Sequence, residues 1–167
     1  MADSGSITLS ASILTNEIRK TFTNEKFTYT PADATEGWYY KLTNVQSTVQ
    51  DLMSAEVINK SAGTNTNVVL TASVVANDLV KFLFIKNTGT TNGSSTTAES
   101  VVVTFDNNGS TAYNETDGVV IPAGMTWYGH FVRLPMNHIH AITLLADGSA
   151  VGTGPVQCVV AAIVDDI

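Results

Sequence analysis

Apolar residues in this chain fall into short runs, and the runs are separated by segments made almost wholly of Asn, Thr, Ser and Gly. Within many runs large and small or polar residues alternate, as in Phe27-Thr28-Tyr29-Thr30. That two-residue period is the mark of a strand with one buried face. The pattern predicts strands over residues 7–13, 18–22, 26–30, 38–44, 68–75, 79–85, 100–105, 118–121, 125–134, 139–146 and 156–164. Residues 49–58 read equally well as a strand or as a short helix around 51–56. Asn77-Asp78 reads as a tight turn that would make 68–75 and 79–85 a hairpin. Pro122-Ala123-Gly124 reads as a β-turn between two strands. Residues 87–99 form a long polar connection without a large apolar side chain, of the kind that is either functional or mobile.

Turn signals recurring roughly every 8–12 residues between short strands are the spacing of a sandwich or barrel. No stretch is long and periodic enough for a crossover helix, which disfavours a parallel sheet. The expected fold is therefore all-β, an antiparallel β-sandwich or jelly-roll-like barrel of about ten short strands. Residues 15–167 are expected to form a single β-sandwich domain, preceded by an extended N-terminal arm over residues 1–14. The arm starts small and polar and continues as Ile7-Thr8-Leu9, a strand-competent stretch that can add to a neighbouring sheet edge.

Composition sharpens this picture. Hydrophobic residues make up 44% of the 167 and charged residues only 14%, the balance of a chain that packs a core rather than staying disordered. The formal net charge of -7, with eight Lys and Arg, repels phosphate, so no nucleic-acid partner is expected. No apolar run approaches membrane-spanning length and no basic amphipathic stretch is present, so no membrane partner is expected either. The first residues lack a basic region followed by an apolar core, so no signal peptide is expected. The sequons at Asn59, Asn92, Asn108 and Asn114 then read as by-products of an Asn/Thr/Ser-rich composition. Cys158 is the single cysteine and stands in an apolar strand, the setting of a buried inert thiol.

Candidate chemistry is sparse. His138 and His140, spaced by one residue, would share a face on a strand, and His130 lies on the preceding strand. Cupin-like metal enzymes use His-X-His followed by Glu, then Pro-X-Gly and a later His. Here Pro122-Ala123-Gly124 precedes the pair and no Glu follows His140. His130, His138 and His140 are thus metal candidates without a recognised triad, and no metal, cofactor or catalytic residue is expected. The acidic residues form no distinctive pair, and no nucleophile elbow, Walker loop or dinucleotide fingerprint occurs. The chain is not expected to be an enzyme. The aromatics Trp38, Tyr39, Tyr40, Trp127 and Tyr128 are expected to split between core and surface, one member of each adjacent pair facing each way. Candidate interaction residues are Ile7, Leu9, Trp38, Tyr39, Trp127 and Tyr128.

Lys81-Phe82-Leu83-Phe84-Ile85-Lys86-Asn87-Thr88-Gly89, then Val119-Val120-Ile121-Pro122-Ala123-Gly124, then the apolar stretch 139–146, resembles small β-sandwich virion proteins of tailed bacteriophages. The resemblance spans roughly the C-terminal half. It rests on a strand ending in Asn-Thr-Gly, an apolar-Pro-X-Gly turn and a late apolar strand over 139–146, and no functional residue transfers with it. It implies a capsid decoration (cement) protein, or a tail or neck component. Such a protein would be assembled in the host cytoplasm and located in the virion. Its partners would be the major capsid or another virion protein, and itself as a dimer or trimer. The alternatives are a carbohydrate-binding or adhesin-type β-sandwich module of a phage tail and, more distantly, a cupin-like metal enzyme.

Overall fold

The computed structural model describes residues 5–14, 19–29, 36–53, 77–106 and 118–165. In chain order the strands are β1 (Gly5–Leu14), β2 (Arg19–Tyr29), β3 (Glu36–Val45), β4 (Gln50–Asp51), β5 (Leu79–Asn87), β6 (Ser100–Phe105), β7 (Gly118–Ile121), β8 (Thr126–Pro135), β9 (Ile139–Leu144) and β10 (Val156–Asp165). β1 and β2 pair with each other as a two-stranded antiparallel sheet. The other eight form two four-stranded sheets, ordered β3-β10-β5-β8 and β4-β9-β6-β7. All of their pairings are antiparallel. The fold is thus the all-β sandwich that the alternation predicts.

The strand order is more specific than a sandwich. β3 pairs with β10, β4 with β9, β5 with β8 and β6 with β7, so the first half of the domain is matched strand by strand with the second half in reverse. The chain behaves as one long antiparallel ribbon, bent back at β6–β7 and rolled so that consecutive ribbon segments fall alternately in the two sheets. That winding is a jelly roll.

The core lies between the sheets. Val156, Cys158, Val160, Ala162 and Val164 of β10 alternate inward and are buried. They face Val101, Val103, Ile121, Ile139 and Ala141 of the opposite sheet. Phe105, Trp127 and Phe131 close one flank of this core, with ring centroids 5.3 to 6.2 Å apart in tilted geometry. The indole of Trp127 lies over the backbone of Gly129, where a Cβ would come within 2.6 Å of the ring. A second, smaller apolar cluster of Val102, Ile142 and Leu144 sits on the outer face of the β4-β9-β6-β7 sheet, joined by Val49.

Several expectations are corrected. β2 is one eleven-residue strand, with a bulge opposite Leu9/Ala11, rather than two short ones. The ambiguous stretch from 49 begins as the short strand β4, after which Leu52 and Met53 are buried. Residues 68–75, expected as the hairpin partner of β5, lie outside the described residues. Both sides of β5 are in any case taken by β10 and β8, leaving no open edge for a hairpin mate. The polar connection after β5 is neither bare nor loose. Thr90 and Thr96 bridge across it, and Asn92 Oδ1 accepts from the N–H and hydroxyl of Ser94 and the N–H of Ser95.

Candidate interaction surface

The strand winding places the β3–β4, β5–β6, β7–β8 and β9–β10 connections at one end of the sandwich, and all four are described. Asn87 ties two of them together, β5–β6 and β7–β8. Its amide Nδ2 donates to the carbonyls of Glu99 (3.0 Å) and Ile121 (3.1 Å), and its Oδ1 accepts from the N–H of Gly89 (2.9 Å). Its own N–H donates to the Met125 carbonyl. The side chain is fully buried and every hydrogen-bonding atom is used, which is what a buried amide requires. The Met125 N–H closes on the Pro122 carbonyl (2.9 Å), and Gly124 at φ 76 supplies the left-handed residue of a type II turn. The Asn-Thr-Gly and Pro-X-Gly turns, far apart in sequence, therefore meet in space and hold β5, β6, β7 and β8 in register.

Glu99 performs a similar task one loop over. Its carboxylate accepts from the N–H and hydroxyl of Thr153 and from the N–H of Gly154. Burial pushes its pKa up, but these hydrogen bonds outweigh that and hold it below the ordinary glutamate range. Both oxygens point at N–H and O–H donors, an arrangement for fixing backbone rather than binding a cation. This end of the fold is thus a hydrogen-bonded clamp.

The histidines do not converge. His130 lies on the outer face of the β3-β10-β5-β8 sheet, its ring 5.3 Å from that of Phe82. His140 lies on the outer face of the opposite sheet, buried, with Nδ1 3.0 Å from Asp51 Oδ1. Its Nε2 is buried without a hydrogen-bond partner among the described residues. His138 is not on the strand with His140. Pro135 ends β8, and Met136–His138 form a 3₁₀ turn anchored by the buried Met136. The expected shared face of His138 and His140 is therefore lost to that turn. Two sheets pack about 10 Å apart, so His130 and His140 stand on opposite sides of the domain. Among the described residues no three His, Cys, Asp or Glu side chains come together as metal ligands. Cys158 is fully buried, and desolvation raises its thiol to about 12.

What the domain does present is an apolar outer face on the β3-β10-β5-β8 sheet. Strand register sets its rows: Tyr40, Ala161, Phe84 and Tyr128 across one, Leu42, Val159, Lys86 and Thr126 across the next, and Trp38, Ile163, Phe82 and His130 across a third. Tyr40 is 70% exposed, Leu42 52%, Tyr128 37% and Val132 84%. Each row crosses four strands, about 14 Å. Val132 and Arg133 stand out where β8 carries extra residues opposite the Val80–Phe82 step of β5. Both outer strands of this sheet are long, ten residues each, whereas the edges of the opposite sheet are two and four residues long. The outer face of that opposite sheet is largely buried, with Val102, His140, Ile142 and Leu144 all covered. The β3-β10-β5-β8 face is open only in part: Tyr40, Leu42, Tyr128 and Val132 are exposed, whereas Phe82 and Ile163 on it are buried.

The aromatic pairs split as alternation demands, and the split decides which candidates are available. Tyr39 is buried in the core at 2% exposure and is unavailable to a partner, while its neighbour Tyr40 is the exposed one. Trp127 packs against the core beside Phe105 and Phe131 and is likewise an inward residue, with Tyr128 outward. Trp38 shares the face of Tyr40 by register. Ile7 and Leu9 lie on β1, opposite Phe27 and Glu25 of β2. Leu42 and Val132 were not singled out from the sequence. Leu42 was legible as the next same-face position after Tyr40, whereas Val132 depends on the β8 irregularity. No family model matches the chain, and no curated protein or solved structure is significantly similar to it.

Proposed function

We propose that this chain is a structural protein of a virion that works by protein–protein contact, as a capsid decoration (cement) protein bridging capsomers without catalysis. The observation that carries the reading is the pairing of a tightly clamped jelly roll with a sheet face that exposes Tyr40, Leu42, Tyr128 and Val132. Support comes also from the resemblance noted above, because its two turn motifs form a single clamp in this fold. The jelly roll itself is shared by viral shells, lectins and cupins, so it narrows the class by analogy alone. The separation of the three histidines favours the scaffold reading over a cupin-like enzyme. The contacts would hold by burying apolar area and by strand pairing.

The test is whether the protein copurifies with intact phage particles in hundreds of copies, and whether purified protein rebinds stripped capsids seen by electron microscopy. Absence from particles together with no rebinding would refute the reading. A second reading draws on Tyr40 and Tyr128, which share one row of an exposed sheet face and could stack sugar rings. Binding to a glycan array, lost on Tyr40→Ala and Tyr128→Ala, would select it instead.

A further inference from the structure

Asn92-Gly93 stands at the tip of the connection after β5, and the fold builds a fixed turn around it. The Thr91 N–H donates to the Ser95 carbonyl (2.8 Å) and the Thr97 N–H to the Gly89 carbonyl (2.9 Å), while Thr90 and Thr96 bridge the two arms. The base of the turn is tied to β10. There the Gln157 N–H donates to the Thr90 carbonyl, and the Gln157 carbonyl accepts the N–H of Thr88. Gly93 adopts φ 85, a left-handed conformation, and a Cβ there would meet Gln157 Oε1 at 3.3 Å. The fold therefore selects glycine directly after Asn92. With no Cβ at that position, no side chain shields Asn92 Cγ from the next backbone nitrogen.

The amide of Asn92 is polarised where it stands. Its Oδ1 accepts three hydrogen bonds, from the Ser94 hydroxyl (2.8 Å), the Ser94 N–H (3.2 Å) and the Ser95 N–H (3.2 Å). Donors aimed at a carbonyl oxygen bind it more strongly as negative charge develops there. The Gly93 N–H donates to Thr90 Oγ1 (3.0 Å). That bond lies in the peptide plane and leaves the face of the nitrogen open. Asn92, Gly93, Ser94 and Ser95 are all exposed, so solvent reaches them. We propose that Asn92 is a self-modification site, at which the folded turn promotes deamidation of the side chain by the Gly93 backbone nitrogen. The Gly93 nitrogen gives its proton to a solvent base and bonds to Asn92 Cγ. The Cγ–Nδ2 bond breaks, Nδ2 leaves with an added proton as ammonia, and a five-membered succinimide closes. Water then adds to either ring carbonyl, and the ring opens to aspartate or isoaspartate. Aspartate keeps the three hydrogen bonds in charge-assisted form, whereas isoaspartate inserts a methylene into the chain inside the Thr90–Thr96 bridge. The reaction needs no partner, so it stands apart from the virion reading.

The test follows deamidation of the purified full chain at mildly alkaline pH, both native and unfolded in guanidinium chloride. Mass spectrometry reads the site, with fragment ions separating Asn92 from Asn108-Gly109, the other Asn-Gly pair of the chain. Native Asn92 should react at least about fivefold faster than Asn92 in the unfolded chain, because the turn supplies orientation and donors that the free chain lacks. Ser94→Ala removes the hydroxyl donor at an exposed position and leaves the Asn-Gly pair intact. It should slow the native reaction about fivefold, the rate counterpart of one hydrogen bond to a developing charge, and leave the rate in guanidinium unchanged. A melting temperature equal to that of wild type shows that the variant is folded. A native rate equal to or below the unfolded rate overturns the proposal, since the turn then shields Asn92. Ser94→Ala reacting natively as fast as wild type also overturns it, as does an equal slowing of the variant in guanidinium.

Discussion

Replacing Asn87 by Ala isolates the clamp at the loop end of the fold. The substitution deletes three hydrogen bonds of a fully buried side chain, to the carbonyls of Glu99 and Ile121 and from the N–H of Gly89, the one to Ile121 itself buried and the other two partly so. At about 1 kcal/mol each, with buried backbone groups left unpaired, the expected loss is roughly 3 kcal/mol. For a domain of this size that corresponds to a drop of about 6–12 °C in Tm. Asn92 provides a matched control, because its Oδ1 also accepts three hydrogen bonds, but on an exposed loop where water replaces them. Asn92→Ala is expected to cost no more than about 0.5 kcal/mol. The assay is urea unfolding at constant slope, checked by calorimetry. A loss below about 1 kcal/mol for Asn87→Ala, or equal losses for the two variants, would refute the argument that burial rather than bond number sets the cost.

Gly129→Ala drives a methyl group into the Trp127 ring and should cost about 1–3 kcal/mol and shift tryptophan fluorescence, whereas an unchanged spectrum and Tm would show that the indole does not lie over that backbone. Thiol reagents should label Cys158 only after unfolding, since the thiol is buried and pushed up to about 12, and Cys158→Ala should cost about 1 kcal/mol; rapid labelling of the native protein would contradict the core position. Glu99 is held below its ordinary range when folded, so its contribution is full at neutral pH and fades as pH falls through that lowered value. Wild type should therefore exceed Glu99→Gln in stability at pH 7 and converge with it in acid. Asp147, lowered by the N–H and hydroxyl of Ser149, titrates in the same direction in both proteins and cancels in the comparison. A gap that widens on acidification would count against the clamp.

The alternation of apolar and polar residues was enough to establish strands, their antiparallel character and the all-β class, because a strand exposes its period of two directly in the chain. The turn at Pro122-Ala123-Gly124 was equally legible, since glycine at a left-handed position is a local requirement. The order of strands was not. β3 and β10 are adjacent in the sheet though more than a hundred residues apart in sequence, and nothing local in either strand names its partner. Which face of β3 is buried was also undetermined, because both read as apolar: Tyr39 and Val45 on one, Trp38, Tyr40 and Leu42 on the other. Sheet packing decided it, putting Tyr39 in the core and leaving Tyr40 and Leu42 outside. The histidines show the same limit. Their spacing suggested a shared strand face, but Pro135 and the buried Met136 turn the chain at His138, and His130 and His140 end on opposite sheets. A sequence carries the period of each strand, but the strand's neighbours and buried side come from contacts between distant segments, which only the assembled sandwich supplies.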